Sequence, residues 1–210
     1  MILTARSFGR IAVFGALGGA INAWLCYAQL PVPIMSEGGM LSGPSPLDFT
    51  WTTIPGGAGH GAILALLAVM LATRLARHPL PIRIAASAAA GWVAGWLSWI
   101  VLSFGMQIAE WPETLVWPFR QEWWGPWLQF GLVTAIYTAA LSLRSGWPGA
   151  RLVPHLLCGI VSGVAGSLWW WIMSKPWYFS IIHGTIWGAL VGYAAWTCEK
   201  NSHASPTPSS

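Results

Sequence analysis

Charge is what this sequence has least of. Asp and Glu number 6 in 210 residues and Lys and Arg 10, so charged residues make up 8% of the chain and apolar ones 55%. About a quarter of a soluble domain is charged, and a surface this poor in charge argues against one. Cysteine is scarce too. Cys26, Cys158 and Cys198 show no metal-ligand spacing, and an odd number at different depths excludes a disulfide framework. Strand-period alternation is absent, which argues against a β-barrel. There is no lysine-bearing phosphate loop, no dinucleotide fingerprint and no carboxylate pair inside an apolar run. Glu110 and Glu113 share one polar stretch and read as solvated surface. Ser162-Gly163 and His183 do not form a protease dyad. At 1.5 Å per residue their depths differ by roughly 10 Å, and the Gly-x-Ser-Gly pattern of rhomboid proteases is not matched. No catalytic residues are assigned.

What the chain does have is apolar length. Mean hydropathy is +0.58. Six stretches stay apolar for about 20 residues each: Ile11–Leu30, Ala58–Leu75, Ile84–Gln107, Gly125–Leu143, Leu152–Met173 and Ser180–Thr197. Hydrocarbon leaves no partner for open backbone groups, so each is expected to be a helix. The expected fold is an all-α integral membrane protein with six transmembrane helices.

The charges sort by sign between these runs. Arg6, Arg10, Arg74, Arg77, Arg83, Arg144, Arg151 and Lys200 fall on one side. The other side has Arg120 and Lys175 with Glu37, Asp48, Glu110, Glu113 and Glu122. The positive-inside rule then makes both termini cytoplasmic, in a bacterial-type inner membrane. The pI near 9.3 reports this topology, and no nucleic-acid partner is needed to explain it. The first span exceeds a signal-peptide core and lacks an Ala-x-Ala site near Leu30, so it is expected to be retained.

The spans read as a threefold hairpin repeat. Val93-Ala94-Gly95-Trp96-Leu97-Ser98-Trp99 resembles Val164-Ala165-Gly166-Ser167-Leu168-Trp169-Trp170, with a weaker copy at Gly19-Ala20-Ile21-Asn22-Ala23-Trp24. His60-Gly61, Phe130-Gly131 and His183-Gly184 open the even spans. Arg74 and Arg144 each follow fourteen residues after His60 and Phe130. The hairpins fall at about 8–76, 82–145 and 150–200 of a single domain, 1–200, before a disordered polar tail, 201–210. In outline this resembles the urea/amide channels and the substrate-capture subunits of vitamin importers, whose motifs do not occur here.

Glycines four apart recur at Gly15/Gly19, Gly57/Gly61, Gly91/Gly95, Gly159/Gly163 and Gly184/Gly188/Gly192. Such strips let backbones approach closely, within the bundle first, and toward a second copy or a membrane-complex partner second. The 17 tryptophans cluster toward the outer side, where indole suits headgroup depth. Trp92, Trp96 and Trp99 share one helical face and are expected to pack in the core.

His60 and His183 stand out, two imidazoles at matched depth near the outer ends of their spans. With Trp51, Trp99, Gln129 and Trp169 they define an expected outward vestibule that binds or passes a small molecule. Two other classes are carried beside it. One is an accessory subunit with no site of its own. The other is a redox protein with a haem held by His60 and His183, although no cofactor is required by the first reading. Asn22 is expected to bond across a helix pair, and His78 and His155 to be ordinary interface residues.

Overall fold

Glycine decides how the helices pair. The computed structural model describes residues 4–28, 46–106, 127–144, 151–168 and 177–204, and no strand occurs among them. The helices are α1 (Ala5–Ala28), α2 (Pro46–Arg74), α3 (Leu80–Met106), α4 (Val133–Arg144), α5 (Leu152–Gly166) and α6 (Trp177–Ala204). A π-helical turn, Trp127–Leu132, runs directly into α4. Among the described residues, three stretches are long and apolar enough to cross a membrane: Ala5–Leu25, Ile54–Arg74 and Leu80–Ser98.

Each glycine strip meets a facing backbone in an antiparallel neighbour. Gly15 and Gly19 of α1 lie against Gly61 and Gly57 of α2, where a Cβ would overlap a carbonyl. Gly159 and Gly163 of α5 meet Gly188 and Gly184 of α6 in the same way, and Gly192 abuts the His155 carbonyl. In the middle pair, Gly91 and Gly95 of α3 receive Thr134 and the Phe130 ring. Without water to squeeze out between helices, this van der Waals fit at short range is what holds them.

The pairs then join in a ring. α1 packs on α6, α3 on α2 and α5 on α4, while α2 also touches α4. The Cys198 thiol lies 3.9 Å from the Ser7 carbonyl, so the start of α1 and the end of α6 share one end of the bundle.

Side-chain size follows the same logic. Ala65, Ala68, Ser87 and Ser162 are wholly buried, while Val13, Leu97, Leu143 and Val153 face outward. Leu143 is 76% exposed. That inverts the arrangement expected in water and suits a surface in contact with lipid tails.

Polar bonds tie the middle pair. Thr134 Oγ1 donates to the Ser87 carbonyl at 2.7 Å, and the Ser87 hydroxyl donates to Thr138 Oγ1 at 2.9 Å. Thr134 Oγ1 also lies within reach of the Phe130 and Gly131 carbonyls, in the turn where π winding passes into α. Thr134→Val should therefore lower unfolding stability in detergent by about 1–2 kcal/mol. Thr73→Val, whose hydroxyl bonds only its own helix, should stay within about 0.5 kcal/mol of wild type.

Four expectations need correction. The second helix begins at Pro46, twelve residues before the apolar run expected from Ala58, so Asp48 and Trp51 belong to α2. α6 continues through Asn201–Ala204, past the expected start of the tail. The buried face of α3 is built from Ser87, Gly91, Gly95 and Ser98, and Trp92 and Trp96 are only half-buried beside it. His155 is no ordinary interface residue: it is 2% exposed, and its Nε2 lies 2.5 Å from Glu199 Oε2.

Candidate functional site

His60 sits on α2 directly before Gly61. Because Gly61 must face α1, its neighbour is turned toward α4. There the His60 ring meets Phe130 edge to face, with centroids 4.6 Å apart and planes at 70°. Phe130 is 1% exposed, carried by the π turn and backed by Gly95 of α3. His60 Nε2 is enclosed and has no hydrogen-bond partner among the described residues. An enclosed polar atom left unpaired costs about 1–3 kcal/mol, which makes this nitrogen a position that calls for a partner.

His183 stands on α6 directly before Gly184 and is 2% exposed. Its backbone carbonyl accepts a hydrogen bond from Asn22 Nδ2 at 3.1 Å. This is the cross-helix bond expected of Asn22, and its other amide atom, Oδ1, is enclosed without a partner among the described residues. One turn further along α6, Trp187 donates from Nε1 to the Gly61 carbonyl at 3.2 Å while its ring lies on Gly18. A chain of contacts thus runs from Phe130 through His60 and Gly61 to Trp187, and along α6 to His183 and Asn22.

Of the expected vestibule residues, the structure brings His60 and His183 into this central layer. Trp169 lies outside the described residues. Trp51 and Trp99 belong to α2 and α3 and Gln129 to the π turn, but their side chains lie outside the described residues. Sequence reading missed Phe130 as a contact of His60. It had aligned the two as equivalents in different repeats, and that alignment was itself the available signal. No group of three metal-ligating side chains occurs among the described residues. His60 and His183 stand on α2 and α6, helices that touch little apart from Trp187.

Chemically, a neutral imidazole offers one donor and one acceptor, and the Asn22 carboxamide, bonded to the His183 backbone, keeps an acceptor oxygen. Flanked by a phenyl edge and a buried indole, such groups suit a small, uncharged polar molecule better than an ion. No known protein family, curated protein or solved structure matches the chain.

Proposed function

We propose that this chain is a six-helix inner-membrane protein, built as three repeated hairpins with both termini cytoplasmic. It binds or passes a small uncharged polar molecule through an outward vestibule lined by Trp51, His60, Trp99, Gln129, Trp169 and His183. The observation that carries the reading is the enclosed, unpaired His60 Nε2 beside Phe130 on a π-helical turn. π turns concentrate at functional positions because they cost regular bonding and re-aim side chains.

The repeat is supported by contact register. Gly61 packs on Gly15 and Gly19, and its counterpart Gly184 on Gly163 and Val164. Phe130, beside the third counterpart Gly131, packs on Gly91 and Gly95. The alignment of Gly19, Gly95 and Gly166 matches these pairings to within a few residues. The ring order, each odd helix against the even helix of the preceding hairpin, is what a threefold arrangement would give. Orientation is supported by the eight basic residues, which antiparallel pairing gathers at one end of the bundle, while His60 stands midway along α2. An accessory role through glycine strips has less support, because these strips are occupied within the chain.

Urea, acetamide, formamide and glycerol, each added to the purified protein, test the reading. One that saturates the site a hundredfold above its dissociation constant contributes about 2.7 kcal/mol, or roughly 5–10 °C in Tm at this chain length. That shift should vanish in His60→Ala and persist in His78→Ala, whose imidazole is exposed at the other end. A shift that survives in His60→Ala would contradict the assignment. A dithionite-sensitive Soret band would favour a haem on the two histidines instead.

A further inference from the structure

The face shared by the first and last helices carries a second arrangement. On α1, Arg6, Arg10 and Phe14 follow one another four residues apart and share a face. On α6, Tyr193, Trp196 and Lys200 do the same at steps of three and four. The two faces meet. The Phe14 and Tyr193 rings lie 5.6 Å apart, Tyr193 and Trp196 lie 5.7 Å apart, and Lys200 Nζ stands 5.2 Å over the Trp196 ring.

Register completes the picture. The antiparallel contacts of Gly18 with Trp187, Asn22 with His183 and Ser7 with Cys198 place Arg10 level with Ala195, next to Trp196, and Arg6 level with Glu199, next to Lys200. Arg6 and Lys200 are exposed, Tyr193 is 40% exposed, and Arg10, Phe14 and Trp196 are half-buried. Three aromatic rings therefore form a floor that ends in three cations, at the end of the bundle where the basic residues collect.

These cations are short of counter-charge. Glu199, next to Lys200, is the one acidic side chain among the described residues, and His155 of α5 holds it. Of the other acids, Asp48 stands at the start of α2, the end away from Arg74, and Glu37, Glu110, Glu113 and Glu122 lie outside the described residues. We infer that this face binds the headgroup of an anionic phospholipid, with its phosphate among Arg6, Arg10 and Lys200 and an acyl chain along Phe14 and Tyr193. A lipid fits better than a free anion because the ring floor continues into the outward-facing Val13 and Leu17. Three cations with no carboxylate paired to them among the described residues favour an acidic headgroup over a zwitterionic one.

The test takes the full-length protein from vesicles of equimolar phosphatidylcholine and phosphatidylglycerol and counts retained lipid by native mass spectrometry. Wild type should keep one phosphatidylglycerol in strong preference to phosphatidylcholine. At about fivefold per cation, Arg6→Gln/Arg10→Gln/Lys200→Gln should cut that preference about a hundredfold, and the exposed Arg6→Gln alone about fivefold. Arg74→Gln/Arg77→Gln/Arg83→Gln removes the same charge elsewhere and should leave the preference intact. Equal loss in both triple variants would overturn the site in favour of the general field of the bundle end. Displacement of the lipid by millimolar inorganic phosphate would overturn it in favour of a free anion, and a wild type without preference would overturn it outright.

Discussion

Gly188→Ala should lower the unfolding stability of the purified protein by about 3 kcal/mol, roughly 10 °C in Tm, while Gly9→Ala leaves it unchanged. The two substitutions add the same methyl group. At Gly188 it would overlap the Gly159 carbonyl and crowd the Ile160 backbone, so α5 and α6 must separate along their whole contact. Nothing lies within 4 Å of the corresponding position at Gly9. The clash is with main chain, which cannot rotate away as a flexible side chain would, and packed interiors transmit such strain. Gly188→Leu should give no folded protein. The measurement is thermal unfolding in mild detergent followed by circular dichroism. Gly188→Ala within about 0.5 kcal/mol of wild type would contradict close backbone packing as the force that holds the hairpins.

The second large effect belongs to the same helix pair, where the start of α5 meets the end of α6. His155 Nε2 and Glu199 Oε2, 2.5 Å apart, must share a proton, since neither could otherwise approach the other's lone pairs. His155 is 2% exposed and the Glu199 side chain 13%. Glu199→Ala removes the partner of an enclosed imidazole and should cost about 2–3 kcal/mol, somewhat under the range for a fully buried pair because Glu199 keeps some access to solvent. His155→Ala should cost a similar amount. The double variant should cost clearly less than the two together, because the second substitution removes the group the first left stranded. Glu199→Gln keeps a neutral hydrogen bond and should fall between wild type and Glu199→Ala. Additive losses in the double variant would mean that the two side chains act independently.

Much of this architecture is legible in the sequence because membrane packing uses few residue types. Apolar length located the helices, and the glycine spacings named the surfaces that now prove to touch, Gly15 with Gly61 and Gly159 with Gly188. Asn22, too polar to be left alone in a span, does bond across to α6. What escaped depends on geometry that composition does not record. The start of α2 was missed because hydropathy averaging discounts Pro46, Asp48 and Pro55, although Ser45-Pro46-Leu47-Asp48 carries the Ser-x-x-Asp and first-turn proline of a helix start. The π turn has no residue signature of its own. The His155–Glu199 pair spans 44 positions and forms only because Gly192 lets α6 lie against the His155 backbone. The candidate site was half visible: His60 could be singled out from its depth, but its contact with Phe130 arises from the packing of α2 on α4.

The most direct test looks at His60 Nε2 itself, in protein labelled with 15N-histidine and held in nanodiscs, with the resonance assigned by its loss in His60→Gln. A nitrogen kept open for a ligand should shift when a stabilising probe such as acetamide is added, while the His155 resonances, tied to Glu199, stay in place. A His60 Nε2 signal that ignores every probe, and that already has the shift of a nitrogen hydrogen-bonded within the protein, would contradict the vestibule.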